Sequence, residues 1–272
     1  MMNRWILSPF FLDAPAPSVE GLARPGWYVN RASHQTPRPT AAPLGQPESP
    51  PSAANELERI GEIHKPLVDE VEKAAASSCR AVIVGGDCLT PIAALAGLQH
   101  AGIDPVLVWL DAHGEFNTHE TTLSGFVGGM PLAMITGRGN QTVVDASRLT
   151  PLADSNVILS DARDLDAPER LLLEQSGVTR TRDLDAVVDF VAGRPVHVHF
   201  DADVVNLSEA PAMLYPVPGG PSVEELRAFA VKLRQSGRLV SASMTVWSFD
   251  HDADGRTAAA CWRVFTELVG EQ

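Results

Sequence analysis

The 272-residue chain is 44% hydrophobic and carries a formal net charge of −13, which is enough apolar material for one large α/β domain over residues 1–272. The acidic balance argues against a nucleic-acid partner, because nucleic-acid binding requires clustered Lys and Arg. No apolar run is long enough to span a bilayer, so we predict no membrane segment. The three cysteines make no disulfide framework and the N-terminus has no signal-type segment, which favours a reducing cytoplasm.

The first quarter of the chain combines a short strand, an irregular segment and a long helix. We predict the strand over residues 5–12. Residues from about 31 to 53 contain six prolines, a composition that cannot pack a core. We interpret them as a surface loop, with a lid or a subunit contact as the alternative. Apolar residues at three- and four-residue steps predict a helix over 55–78, which Pro66 is expected to kink or divide.

Strand and helix patterns alternate in the rest of the chain. The patterns predict strands over 81–84, 106–110, 157–159, 196–200 and 239–247, and helices over 91–99, 222–234 and 256–269. The helix after Ser222 begins with a capping-box pattern that ends at Glu225. Such alternation predicts a three-layer α/β/α fold with a central, mainly parallel sheet. Its ligands belong outside the carboxyl ends of the strands.

The most informative stretch is the apolar run of residues 106–110 and the polar residues that follow it. Asp111, His113 and Glu115 come directly after this run. Because alternate residues of an extended chain point the same way, they would present two carboxylates and an imidazole to one side of the strand tip. Such ligands suit a divalent metal such as Mn²⁺ or Zn²⁺. Solvated carboxylates or helix caps are the alternative.

Two other strand ends repeat this design. Residues 196–200 lead into Asp201 and Asp203, and two carboxylates at this spacing repel each other unless a cation lies between them. A third strand leads into Gly-Gly-Asp-Cys88, where the cysteine offers a thiolate. The three strand ends therefore predict one metal site. We interpret His197 and His199, which lie within the strand before Asp201, as packed or hydrogen-bonded residues.

The segments GGDC (85–88), DAHGE (111–115) and DAD (201–203) resemble the GGDH, DAHxD and DxD segments of the arginase-type ureohydrolases. The resemblance runs from about residue 80 to the C-terminus and implies an arginase-like fold. It also implies two Mn²⁺ ions with a bridging hydroxide that attacks a guanidinium carbon, with Asp111, His113 and Asp201 as catalytic residues. The implied metal ligands are Cys88, Asp111, His113, Glu115, Asp201 and Asp203. Arginase-like proteins commonly form trimers or hexamers, so we expect a homo-oligomer.

Two of the implied ligands depart from the family pattern. Cys88 stands where the family has His, and Glu115 stands where it has Asp. We expect both to belong to the same metal site, whose affinity for Mn²⁺ is altered because a thiolate favours Zn²⁺ or Fe²⁺. The remaining ligands, Asp111, His113, Asp201 and Asp203, form an unaltered second site. One or two ions are therefore expected.

The family's substrate residues also have counterparts. Asn117 and Ser124 match residues that hold the α-carboxylate of the substrate, and Asp166 and Glu169 match residues that face its α-amino group. The resemblance therefore implies a small guanidino substrate with an amino-acid head group. The alternative is that Asn117 and Ser124 only cap turns.

Two family groups that act on the guanidinium end are missing. Gly128 stands at the position of a proton-shuttling His, and Val246 lies near the position of a Glu that faces the guanidinium. An N-hydroxyguanidine is less basic than a guanidinium and needs these groups less. The GGDC (85–88) and GGM (128–130) segments also resemble those of a branch that includes N-hydroxyarginine amidinohydrolases, and we expect an amidinohydrolase of a modified arginine. The alternatives are a catalytically silent relative with a sensing or assembly role, and a hydrolase of a larger guanidino natural product.

Overall fold

The computed structural model of the protein describes residues 1–8, 56–245 and 251–270. The strands are β1 (Asn3–Ser8), β2 (Arg80–Gly85), β3 (Val106–Asp111), β4 (Val157–Asp161), β5 (Thr179–Thr181), β6 (Pro195–Asp201) and β7 (Arg238–Thr245). The α-helices are α1 (Glu56–Ala76), α2 (Thr90–His100), α3 (Pro131–Ile135), α4 (Thr142–Ser147), α5 (Ala167–Glu174), α6 (Leu184–Val191), α7 (Val223–Ser236) and α8 (Arg256–Val269). The predicted Pro-rich loop and the position of Val246 lie outside the described residues.

The seven strands form one sheet in the order β1-β2-β7-β6-β3-β4-β5, and every described pairing is parallel. This confirms the predicted α/β class and the parallel sheet. Because all strands run the same way, their carboxyl ends meet at one edge. The order places β6 directly beside β3, whereas β2 is separated from β6 by β7. None of the three strands that precede the acidic motifs is thus an edge strand of the described sheet.

Helices cover both faces of the sheet, so the core has two halves. Apolar residues of α6, α7 and α8 pack against one face, around Phe200 and Phe265. Residues of α1, α2, α3 and α4 pack against the other face, around Trp109. All six residues of β3 are buried, as expected for a central parallel strand covered on both sides.

Several helices follow their sequence signals closely. In α1, the buried Ile60, Leu67 and Val71 recur at helical spacing, and Pro66 lies inside the helix without dividing it. The capping box of α7 is confirmed, since the Glu225 amide donates to Ser222 Oγ at 3.2 Å and the Ser222 amide donates to the Glu225 carboxylate at 2.8 Å. None of the helices within the described ranges is both long and apolar enough to cross a membrane.

Candidate metal centre and substrate cleft

Cys88 reaches the sheet edge through a tight turn after β2. Gly85 and Gly86 adopt φ values of 94° and 80°, a region that favours glycine over residues with a Cβ. The turn places the Cys88 thiol 3.1 Å from Asp201 Oδ2, so that it can donate a hydrogen bond to that carboxylate. The structure therefore brings together the ends of β2 and β6, as the sequence predicts.

Asp111, His113 and Glu115 also come together, but through a turn. The strand β3 ends at Asp111, whose Oδ1 accepts a hydrogen bond from the His113 amide at 2.8 Å. Glu115 adopts a left-handed conformation with φ of 52°. One ligand atom from each of the three residues lies within 4.8 Å of the others. The expected convergence is present, although it does not arise from a continued extended strand.

Asp201 and Asp203 are linked to this turn. The Asp203 amide donates to Asp201 Oδ1 at 2.9 Å, and Asp203 Oδ1 accepts from the Ala112 amide at 3.0 Å. The other Asp203 oxygen lies 3.0 Å from His113 Nδ1, which is also 3.4 Å from Asp111 Oδ1. All six predicted metal-ligand residues therefore belong to one connected cluster.

Within this cluster, the possible ligand atoms form two groups that share Asp111. Cys88, Asp111, His199 and Asp201 make the first group, and Asp111, His113 and Glu115 make the second. Cys88 and Glu115 fall in different groups, so their sharing of one metal site stays a prediction. His199 is a candidate that the sequence analysis did not include. Its signal was the alternation of β6, which puts His199 on the same face as Asp201.

The cluster concentrates negative charge away from water. Burial and the Asp203 carboxylate raise the pKa of Asp111 to about 6, and burial followed by Asp203 raises the pKa of Asp201 well above its usual value. Burial and the charge of Asp111 raise the pKa of Glu115 well above its usual value. Burial and then the charge of Glu115 raise the pKa of the Cys88 thiol. Among the described residues, no Lys or Arg forms an ion pair with these four carboxylates.

His113 is the cation that the described part of the cluster contains. Burial opposes its charge, but its hydrogen bonds to Asp111 and Asp203 raise the pKa of the imidazole to about 12. Burial works against ionisation of Asp203 as well, yet the contact with His113 lowers the pKa of that carboxyl. Ionising all four buried carboxyls beside one imidazolium is unfavourable, as the raised pKa values of Asp111, Glu115 and Asp201 indicate, and a divalent cation bound among them would offset this cost.

Two buried polar atoms of the cluster have no hydrogen-bond partner among the described residues. They are Glu115 Oε2 and His199 Nε2. A buried polar atom without a partner costs roughly 1–3 kcal/mol, so such atoms call for a ligand. Carboxylate, imidazole and thiolate groups are all metal donors. The residues present therefore fit a metal centre.

A cleft of about 180 Å³ opens beside the second ligand group. Its lining includes all four predicted substrate residues, Asn117, Ser124, Asp166 and Glu169, together with His113 and Glu115. Asn117 Nδ2 donates to Asp166 Oδ2 at 3.4 Å. The rings of Phe126 and Tyr215, with centroids 5.6 Å apart, add an aromatic wall that the sequence analysis did not predict. The two rings lie about 90 residues apart in sequence, so no local pattern links them.

Some cleft residues also stabilise the local backbone. Ser124 Oγ accepts a hydrogen bond from the Phe126 amide at 3.1 Å, as in the turn-capping alternative. Glu169 accepts from the amides of Phe116 at 2.8 Å and of Asp166 at 3.3 Å, the latter as part of the capping box of α5. Burial raises the pKa of Glu169 to about 7. Their contacts with a substrate remain predictions.

Gly128 lies directly against the aromatic wall. A Cβ at this position would lie 2.4 Å from ring atoms of Phe126, far inside van der Waals contact. No side chain can be accommodated at Gly128 while Phe126 keeps its position. The position of Phe126 therefore leaves no room at residue 128 for the His of the family pattern.

Arg163 supports the turn that carries Asp203. Its guanidinium forms an ion pair with Asp161 and donates to the Asp203 carbonyl at 2.8 Å. It also donates to the carbonyls of Val217 at 3.0 Å and Pro218 at 3.2 Å. The side chain is 7% exposed, so these contacts form away from bulk water. Arg163 thus connects β4, the Asp203 turn and the loop before α7.

Comparisons with known proteins agree with this geometry. The sequence profile of the Arginase family matches residues 44–270. The chain is 28% identical over 219 residues to the arginase of Bacillus subtilis (strain 168), covering 76% of this chain and 74% of that protein. It is 33% identical over 192 residues to the N(omega)-hydroxy-L-arginine amidinohydrolase of Streptomyces lavendulae, covering 69% of this chain and 67% of that protein.

The fold comparison gives the same result. A crystal structure of arginase from Bacillus subtilis matches with a TM-score of 0.83 and 26% identity, covering 100% of this chain and 99% of that chain. The family profile spans most of the sequence, and it includes the three acidic segments that meet at the sheet edge. The chain therefore belongs to the arginase family and is a hydrolase that acts on C–N bonds in amidines.

Proposed function

We propose that the protein hydrolyses the guanidino C–N bond of an arginine-like amino acid, with a preference for N-hydroxyarginine or another modified arginine. The observation that carries this proposal is the cleft of about 180 Å³, in which Asn117 and Asp166 lie beside His113 and Glu115. One cavity thus contains groups for an amino-acid head group and groups of the candidate metal centre. The 33% identity to a hydroxyarginine amidinohydrolase supports the choice of substrate.

The metal requirement follows from the buried donor set. Arginase-family enzymes typically use Mn²⁺, and we infer one or two ions held by Cys88, Asp111, His113, Glu115, Asp201 and Asp203. When bound, a divalent ion of this kind lowers the pKa of a coordinated water, so that hydroxide is available near neutral pH. The Cys88 thiol favours Zn²⁺ or Fe²⁺ over Mn²⁺ at its own position.

The protein's own residues bind and orient the substrate. In our proposal, the Asp166 carboxylate accepts hydrogen bonds from the α-ammonium group, and Asn117 Nδ2 donates to the α-carboxylate. Each such charge-assisted contact contributes roughly 1.5–3 kcal/mol. The aromatic wall of Phe126 and Tyr215 borders the cleft beside these head-group residues.

The preference for a modified arginine rests on the guanidinium end. The ring of Phe126 fills the space at Gly128, so no side chain at this position can donate a proton to the departing amine. An N-hydroxyguanidine is less basic than an arginine guanidinium, so we infer that it depends less on the proton-shuttling and charge-pairing groups that the family pattern places at this end. The second group that the family pattern places at this end corresponds to residue 246, which lies outside the described residues.

Steady-state kinetics on three compounds tests the proposal. We expect kcat/KM to be largest for N-hydroxyarginine, smaller for arginine and smallest for agmatine. Agmatine lacks the α-carboxylate, so each lost contact lowers kcat/KM about tenfold to a hundredfold. A series led by agmatine would show that the head-group residues are misassigned. A metal-loaded protein that hydrolyses none of the three compounds would refute the arginine-like substrate class.

We further infer that residues 1–272 form a single domain and that the chain assembles as a homo-oligomer. The support is the family membership, since arginase-family proteins are commonly oligomeric. A trimer or a hexamer is expected. Light scattering at micromolar protein concentration measures the mass directly, and a monomer would contradict the inference.

A further inference from the structure

A layer of polar side chains lies beneath the metal centre, on the sheet face that is covered by α1 to α4. His197, His199 and Ser243 belong to this layer, and each is 0% exposed. Ser243 Oγ lies 3.0 Å from His199 Nδ1 and 3.3 Å from His197 Nε2. Polar groups buried this deeply are destabilising unless every donor and acceptor has a partner.

Within the described part of the chain, the hydrogen bonding of His199 is incomplete at one ring nitrogen, as is that of His197 at Nδ1. Nδ1 is hydrogen-bonded to Ser243, and the ring packs against Trp109 with centroids 4.2 Å apart, while Nε2 has no partner among the described residues. A metal-bound imidazole almost always uses its second nitrogen for such a hydrogen bond, which fixes the ring orientation.

The ring is also close to the other donors. A ring nitrogen of His199, the Cys88 thiol and one carboxylate oxygen each from Asp111 and Asp201 all lie within 4.8 Å of one another. Atoms bonded to one zinc ion at about 2.0–2.3 Å can be at most about 4.6 Å apart. Around a tetrahedral ion such donors lie roughly 3.3–3.8 Å apart, so the four donors would have to draw together by up to about 1 Å to share an ion.

We propose that His199 is a metal ligand and completes a site with Cys88, Asp111 and Asp201. One nitrogen, one sulfur and two oxygen donors suit Zn²⁺, Fe²⁺ or Co²⁺ better than Mn²⁺. The group of Asp111, His113 and Glu115 offers oxygen and nitrogen but no sulfur, so it suits Mn²⁺. The inference rests on the proposed function, because it takes the metal centre as given and assigns different ion classes to its two halves.

His197 provides a matched control for His199. Both histidines lie on β6, point to the same face, are fully buried and contact Ser243, but only His199 is in a ligand group. We would prepare His199→Ala and His197→Ala, strip each protein of metal and titrate it with Zn²⁺ and Co²⁺. His199→Ala should bind the first ion at least about 10-fold more weakly and change the Co²⁺ absorption spectrum. His197→Ala should retain both the affinity and the spectrum.

A second measurement uses the unaltered protein, in case His199→Ala does not fold. Anomalous scattering from crystals grown with Zn²⁺ should place an ion about 2.0–2.1 Å from a ring nitrogen of His199. Bound zinc that lies beyond bonding distance of this ring would overturn the His199 assignment and leave the proposed hydrolysis intact. Equal loss of metal in both histidine variants would also overturn it. A protein that binds no divalent ion at all would refute both proposals.

Discussion

The two faces of β6 are equally buried but differ completely in polarity. On one face, Val198 and Phe200 pack among apolar residues of α7 and α8, with Phe200 stacked on Phe265 at 6.4 Å. On the other face, His199 and Asp201 lie among polar atoms, some of which lack partners. The first arrangement lowers the free energy of the folded state, and the second raises it. Burial alone therefore does not separate structural residues from functional ones, whereas buried polarity does.

The largest effect is expected on the polar face. Asp201→Ala removes a carboxylate that contacts Cys88 and belongs to a ligand group. We expect loss of bound metal and a fall in kcat/KM of at least about 10⁴-fold, the scale observed when a catalytic group is removed. Metal analysis and steady-state kinetics measure both. Asp189→Asn, an exposed carboxylate on α6, is the control and should behave as wild type. Full metal content in Asp201→Ala would contradict the assignment of metal binding to the polar face of β6.

Phe200→Ala makes the converse change on the apolar face. The side chain is 0% exposed, so its truncation should lower the free energy of unfolding by about 3–5 kcal/mol. Denaturant unfolding measures this loss. The folded fraction should bind metal with wild-type stoichiometry, because the ring points away from the ligand groups. A variant of normal stability that lost its metal would reverse the roles that we assign to the two faces.

Glu169 tests whether a buried carboxyl outside both ligand groups also destabilises the folded state. Its pKa is raised by burial to about 7 from 4.5. A raised carboxyl pKa means that the folded state binds the proton more tightly than the unfolded state. The resulting stability is present below pH 4.5 and is lost as the pH rises through about 7.

Glu169→Gln should remove this pH dependence. Between pH 4 and 8, we expect wild type to lose up to about 3 kcal/mol of unfolding free energy relative to the variant. Denaturant unfolding of both metal-free proteins across this range gives the difference, and their common ligand residues cancel in the comparison. Parallel stability curves would show that the Glu169 carboxyl is ionised without penalty.

Asp166→Asn should have the smallest effect and should depend on the substrate. Asn is as good a helix N-cap as Asp, so α5 should keep its stability. The lost charge should lower kcat/KM for amino acids that carry an α-ammonium group about tenfold to a hundredfold. N-acetylarginine, which has no such charge, serves as the control substrate and should be affected much less. An equal loss for both compounds would indicate a general disturbance of the cleft.

The sequence predicted the parallel sheet and the convergence of the acidic motifs, but not the short strand β5. Apolar runs that end in carboxylates mark the ends of parallel strands, and the carboxyl ends of parallel strands lie along the same edge of the sheet. The proximity of His199 to Cys88 could not be read in this way, because β7 lies between β2 and β6 and local patterns do not encode that order. The left-handed turn at Glu115 was also missed, since the alternation of residues 111–115 was interpreted as continued extended backbone.

The contacts of Arg163 have a mechanical consequence. This side chain holds the Asp203 carbonyl and the carbonyls of Val217 and Pro218 at the same time. The loop that contains Val217 also carries Tyr215 into the cleft. Any displacement of that loop therefore strains hydrogen bonds that anchor Asp203. The guanidinium plane of Arg163 thus couples the cleft wall at Tyr215 to the turn that carries Asp203. Widening the cleft on this side would therefore strain the hydrogen bond to the Asp203 carbonyl at the metal centre.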